Sequence, residues 1–248
     1  MIDKEAFLLA KNRAMSDISE DGGIGTLGEK LVHKTLKHYF EPRTEYHEVS
    51  FLDSVADIKN GGGIIEIQTR AFERLLPKLR RFLSEQPVNL VYPIVRKRRI
   101  FRLDKTSGEI SAPRKSPREG KASDALFELS KIREYLSNPR LTVTLFFLDA
   151  DEYRAKGEKR RGKSLKIDCI PTEPIDILTI RGVGALSALI PDTLGMEFTS
   201  AQFSRSARLK GRRASYSLSL LYKLGLLSRR REGRLYLYMR EAWDKINP

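Results

Sequence analysis

Cysteine is almost missing from this 248-residue chain. Cys169 stands alone, which excludes an internal disulfide framework and any cysteine-rich zinc site, and makes a reducing, cytoplasmic compartment the expectation. Histidine is scarce too: His33, His38 and His47 are too few for the usual histidine-built metal centres. No apolar run reaches 18 residues, and the opening "MIDKEAFLLAKNRAMSD" is too charged for a secretory leader, so no membrane partner is expected through a span or an export signal. Internal repeats are absent. Acidic residues are in deficit, with 32 Asp and Glu against 46 Lys and Arg, a net charge of +14. Such an excess on a folded chain favours a polyanionic partner, because each phosphate neutralised releases condensed counterions. Nucleic acid is the first candidate and an anionic membrane surface the second.

What is present reads as an ordered, soluble α/β chain, 40% hydrophobic and 31% charged. A charged helical segment ends in the loop "SEDGG". "GTLGEKLVHKTLKHYF" then carries apolar residues at 32, 36, 39 and 40, a helical period, with Thr26 and Glu29 in capping-box register. "TEYHEVSF", "SVADIKNG" and "GIIEIQT" read as three strands. "AFERLLPKLRRFLSE" reads as a helix, with Pro77 either kinking it or sitting in its first turn, and "VNLVYPIV" as a fourth strand. This order implies a mixed central sheet flanked by helices. Residues 96 to 122 are expected to be a hairpin around "KTSGE" and a basic loop, 123 to 138 an amphipathic helix, and "LTVTLFFLD" a buried strand. "LKIDCIPTEPIDILTIRG", with two prolines, reads as the passage between a domain over residues 1–175 and another over 176–248. The spacing "GIGTLG" matches G-x-G-x-x-G formally, but the polar "SDISEDG" precedes it where a dinucleotide site needs a strand, so nucleotide binding is not expected.

Inside "NGGGIIEIQTR" a glutamate and a glutamine, Glu66 and Gln68, interrupt an isoleucine run. Side chains alternate across a strand, so these two share one face while Ile65 and Ile67 take the other. A carboxylate on a buried strand is costly without a partner, and a metal ion is one such partner. Asp57 on the preceding strand, ~4.8 Å away at strand spacing, can converge with Glu66 on one ion.

The layout of Glu29 on a helix, Asp57 on one strand and Glu66-Ile67-Gln68 on the next resembles the PD-(D/E)xK, restriction-endonuclease-like nuclease superfamily over roughly residues 24 to 95. The resemblance implies a restriction-endonuclease-like sheet and Mg²⁺ (or Mn²⁺) held by Asp57, Glu66 and the Ile67 carbonyl. It also implies catalytic roles for Asp57, Glu66, Gln68 and Glu29. Gln68 departs from the pattern: the family usually has lysine there, and an amide carries no charge and cannot act as a base. Arg74 and Lys78, on the helix that follows, are expected to meet DNA phosphates.

The C-terminal end resembles a winged helix-turn-helix DNA-binding domain. "VGALSALIPDTL", "TSAQFSRSARL" and "RRASYSLSLLYKLGLL" give three short helices, with Thr199 and Gln202 in capping-box register and Leu218, Leu221, Leu224 and Leu227 inward. "SRRREGRLYLYM" gives a hairpin wing. A second helix in the major groove leads with its N-terminal residues, here Arg212, Arg213, Ser215 and Tyr216, while Arg229, Arg230, Arg231 and Arg234 on the wing meet adjacent backbone.

The expectation is therefore a metal-dependent DNA endonuclease (a hydrolase) acting on double-stranded DNA, with a homodimer implied where one active site per chain cuts both strands. The alternative is a catalytically silent nuclease-fold DNA-binding regulator, which Gln68 favours. RNA processing ranks last.

Overall fold

Val32, Leu36, Tyr39 and Phe40 share one side of helix α2 (Leu27–Phe40), in a computed structural model that describes residues 2–20, 27–104, 107–155 and 165–241. Against α2 lies α1 (Lys4–Glu20), which buries Phe7, Ala10 and Ala14 at helical spacing. Gly23, Gly25 and Thr26, and with them the glycine pattern and the expected cap, lie outside the described residues.

A seven-stranded mixed sheet is built from β1 (His47–Phe51), β2 (Ser54–Asn60), β3 (Gly63–Ile67), β4 (Val88–Leu103), β5 (Arg114–Lys115), β6 (Leu141–Ala155) and β7 (Leu165–Arg181). Their order is β1-β2-β3-β4-β6-β7, with β5 paired to β4. Helices α1 and α2 cover the sheet through one core of Phe7, Val32, Leu36, Ile58, Ile67, Val91, Phe146, Leu148, Ala150 and Cys169. The rings of Phe7, Tyr39 and Phe40 all meet Phe146, at centroid separations of 5.9, 5.2 and 6.0 Å. As the alternation requires, Ile65 and Ile67 face this core.

The chain differs from its sequence-based reading in two places. Residues 165 to 181 are not a linker but the long strand β7. It closes one end of the strand order, and an edge strand accommodates the prolines at 171 and 174 because one of its sides has no neighbour to receive an N–H. The hairpin expected around "KTSGE" is present: β4 runs on to Leu103, which bridges Ile110 across the turn, and Arg99↔Lys115 and Ile100↔Arg114 pair β4 with β5. Residues 122 to 135 are not one helix. Two 3₁₀ turns, Ala122–Asp124 and Ser130–Tyr135, flank a single α segment, and Ile132 leaves helical geometry (φ −115°, ψ 23°). Its side chain is fully buried, so packing of a β-branched residue with weak helical preference sets the backbone there.

By internal contacts the chain divides into two units. One comprises residues 1–69, 91–120 and 146–178 and holds α1, α2 and most of the sheet. The other comprises 70–90, 121–145 and 179–248. In this second unit α3 (Leu76–Glu85) carries Pro77 in its first turn, where the missing N–H costs nothing. α4 (Ala125–Leu129) packs against α6 (Arg212–Lys223). A short strand β8 (Glu197–Thr199) leads into α5 (Ser200–Ser206), whose N-cap Thr199 and N3 Gln202 form the reciprocal capping box expected from their spacing. After α6, Gly225 takes φ +75° and the Leu226 N–H returns to the Leu221 carbonyl at 3.0 Å, a left-handed cap. β9 (Leu227–Glu232) and β10 (Leu235–Arg240) follow as a hairpin, and β8 joins them in the order β8-β10-β9. No helix among the described residues is long and apolar enough to cross a membrane.

Candidate functional site

β2 and β3 pair antiparallel as Asn60↔Gly63, Lys59↔Ile64 and Ile58↔Ile65. One step further, the same register sets Asp57 opposite Glu66. There side chains take over from backbone partners. The Ile67 N–H donates to Asp57 Oδ2 at 2.7 Å, and the Asp57 N–H donates to Glu66 Oε1 at 3.2 Å. Glu66 is 2% exposed, whereas about a fifth of the Asp57 side chain remains accessible. The two carboxylates are therefore drawn to one place between two strands, where like charges repel and burial penalises both.

Three more charged or titratable groups stand beside them. His33 Nε2 lies 3.1 Å from Asp57 Oδ2. One helical turn on, Lys37 Nζ donates to Glu48 Oε1 at 2.6 Å, and that ammonium is almost wholly buried. Glu48, in β1, sits between the β1–β2 pairs His47↔Ile58 and Val49↔Ala56 with φ +51°, a left-handed conformation that costs a glutamate about 1 kcal/mol or more. The Lys37 hydrogen bond holds the Glu48 carboxyl below the usual carboxylate range, and the Asp57 charge opposes that shift. His33, Lys37 and Glu48 were not singled out from the sequence as site residues. The signal was the i, i+4 spacing of His33 and Lys37 alongside the apolar stripe of α2, which turns both toward β1 and β2.

Glu29 belongs to α2 by its backbone, and its side chain lies outside the described residues. Gln68 follows β3 directly, its N–H donating to the Val91 carbonyl at 2.9 Å, with the side chain half-buried. Arg74 (exposed) and Lys78 (half-buried) belong to the second unit.

Among the described residues no group of three or more His, Cys, Asp and Glu side chains is arranged to hold a metal ion. The donor set at Asp57 and Glu66 is nevertheless of the right chemistry for Mg²⁺. That ion is commonly held by one or two carboxylates and completes its shell with water and substrate phosphate, so a full protein cage is not required.

In the second unit the residues expected to meet DNA divide by environment. Arg212 and Ser215 are exposed on α6. The Arg213 guanidinium lies 5.3 Å over the Phe127 ring, and Tyr216 meets the same ring edge-on at 6.0 Å. Arg229 is stacked between Tyr222 and Tyr236. Arg230 pairs with Glu197 at 3.4 Å, Arg231 donates to the Gly233 carbonyl at 3.2 Å, and Arg234 is exposed at the hairpin tip.

A family match covers residues 30–181, which takes in α2 from Lys30 onward, the Asp57–Glu66 pair and the whole seven-stranded sheet, and the chain belongs to that family, a domain of unknown function designated DUF8091. The chain is also similar, beyond that segment, to a protein of Treponema pallidum (strain Nichols) described as an uncharacterized protein. The two are 26% identical over 223 residues, 88% of each chain. No solved structure matches.

Proposed function

We propose that the chain is a metal-dependent DNA endonuclease of the PD-(D/E)xK type, with a C-terminal winged helix that holds the DNA. One observation carries this reading: just beyond the Ile58↔Ile65 pair, two opposed carboxylates accept backbone N–H groups across β2 and β3, Asp57 from Ile67 and Glu66 from Asp57. Two acids side by side repel each other, and a divalent cation between them offsets that repulsion.

Asp57, Glu66 and the Ile67 carbonyl would hold Mg²⁺ or Mn²⁺. When bound, such an ion lowers the pKa of water and stabilises charge on a phosphoryl oxygen. The chain's own groups supply the rest. His33 orients the Asp57 carboxylate, Lys37 offsets the acidic charge through Glu48, and Gln68 positions water or phosphate by hydrogen bonding. For Glu29 the catalytic role rests on the resemblance alone. The net charge of +14 favours the polyanionic substrate. For the C-terminal part, the support is the element order, with α5, α6 and a basic hairpin.

The experiment is incubation of supercoiled plasmid with the chain and Mg²⁺ or Mn²⁺, comparing wild type with Glu66→Gln. Nicking or linearisation that disappears in the variant, with DNA binding intact, is the expected result. A wild type that binds DNA but never cuts it selects the second reading, a silent DNA-binding regulator, which the amide at Gln68 favours.

A further inference from the structure

The hairpin that follows α6 is two-faced, and the faces differ in chemistry. β9 and β10 pair as Arg231↔Tyr236, Arg230↔Leu237 and Arg229↔Tyr238. Opposed residues share a face and successive residues alternate. Arg229, Arg231, Tyr236 and Tyr238 therefore lie on one side, and Arg230, Leu237 and Met239 on the other. Tyr238 identifies the first side as the one turned toward the helices: it is buried and stacks on Phe198, which stacks on Phe203 of α5. Further toward the tip this same face comes out into solvent.

Arg229 organises that exposed part. Its guanidinium lies 4.3 Å from the centroid of Tyr222, at the end of α6, and 4.5 Å from that of Tyr236. One cation thus binds a ring from the helix and a ring from the hairpin into a single stack. Both rings stay open to solvent, Tyr222 at 39% and Tyr236 at 46% exposed. A stack that served only to fasten the hairpin has no need of rings left so accessible, and fixing them in advance removes the entropy a ligand would otherwise have to offset. The same elements expose further cations: Arg231 on the same face of the hairpin, Arg234 at its tip and Lys223 on α6. Arg230, on the opposite face, is turned to Glu197.

Exposed aromatic rings among arginines suit a polyanion whose own π faces are uncovered. Duplex DNA hides its base faces in its stack and offers phosphates and groove edges, which arginines satisfy without tyrosine rings. A single-stranded segment offers both phosphates and bare bases. We propose that the Tyr222–Arg229–Tyr236 stack is a platform for unpaired nucleotides of a DNA strand, the two rings stacking on bases while Arg231 and Arg234 hold the flanking phosphates. This rests on the reading of the C-terminal region as a DNA-binding module and is independent of the nuclease chemistry.

The test is fluorescence anisotropy with the full chain in metal-free buffer, using one labelled sequence as blunt duplex, as single strand and as duplex with a single-stranded overhang. The single strand and the overhang are expected to bind about 5-fold or more tighter than the blunt duplex. Tyr236→Ala and, separately, Tyr222→Leu should each lose about 5- to 100-fold on those two probes, while Tyr236→Phe, which keeps the ring, binds like wild type. Arg231→Ala should lower the slope of log affinity against log salt by about 0.7 for single-stranded DNA, and Arg230→Ala should not. Equal binding of all three probes, or ring-removing variants that remain folded by circular dichroism and bind the single strand normally, overturns the platform while leaving duplex binding standing. Failure of the wild type to bind any probe at low salt overturns both the platform and the DNA-binding reading beneath it.

Discussion

Asp57 and Glu66 are joined by a reciprocal exchange: Asp57 Oδ2 accepts the N–H of the residue after Glu66, and Glu66 Oε1 accepts the N–H of Asp57 itself. The two acids are held by the backbone of each other's strand. Truncating either side chain strips a hydrogen bond from the opposite strand, whereas an amide in its place removes charge and keeps the bond.

Glu66→Gln does this. The amide oxygen still accepts from Asp57, and one of two like charges disappears, so the metal-free variant should be as stable as wild type or more so, by up to about 1 kcal/mol. Mg²⁺ should then separate the two. At tenfold excess over its dissociation constant it raises the wild-type melting temperature by about 3–5 °C and leaves the variant unmoved. Differential scanning fluorimetry with and without the ion measures both effects, and a variant that responds to Mg²⁺ like wild type removes Glu66 from the metal site.

Gln68→Lys restores to the E-x-Q sequence the cation that the resemblance implies. Under the nuclease reading, plasmid cleavage should rise about 10- to 100-fold, since a positive group beside the developing charge stabilises the transition state. Cleavage that is unchanged or lower shows that Gln68 does not line the reacting position.

Glu41 predicts how the fold responds to acid. Arg43 donates to its carboxylate from Nε at 2.9 Å and Nη2 at 3.1 Å, and the Asn60 amide donates at 2.9 Å, tying the end of α2 to the end of β2. The Arg43 hydrogen bonds, against the opposing effect of burial, hold this carboxyl down to about 2 from an ordinary value of 4.5. A depressed carboxylate contributes stability that is present above its unfolded value and lost as pH falls through its folded value. The loss therefore runs from about 4.5 down to about 2. Because Arg43 is largely solvent-exposed, the expected contribution is discounted to about 1–2 kcal/mol. Urea denaturation between pH 6 and pH 3 should show a shallower decline for Glu41→Gln than for wild type; parallel curves refute the assignment.

Phe146→Ala should be among the most damaging single changes in the sheet-bearing unit. The ring is fully buried and meets Phe7, Tyr39 and Phe40, so its removal opens a cavity shared by α1, α2 and β6. A loss of about 3–5 kcal/mol by chemical denaturation is expected. A loss below about 1 kcal/mol would mean that α1 does not depend on this cluster.

Much of this was legible along the chain. "GIIEIQT" announced a buried strand with an acid in it because alternation is local, and the Thr199 cap could be read because a capping box spans only four residues. β7 was hidden by its prolines, which a lone segment cannot reconcile with a strand until its place at a sheet edge is known. The break at Ile132 was hidden because its cause is burial by distant residues.

The order of short acidic strands, the apolar stripes and the cationic excess were determined by the sequence itself, since each depends on neighbours a few positions apart. What the tertiary structure alone decided is which charges meet. His33 meets Asp57, and Lys37 meets Glu48 on a strand bent to positive φ, only when α2 packs on β1 and β2. Likewise Arg229 finds Tyr222 and Tyr236 only once helix and hairpin have folded together. Side-chain electrostatics act over a few ångströms of space, and that distance is not written in the spacing of residues along a chain.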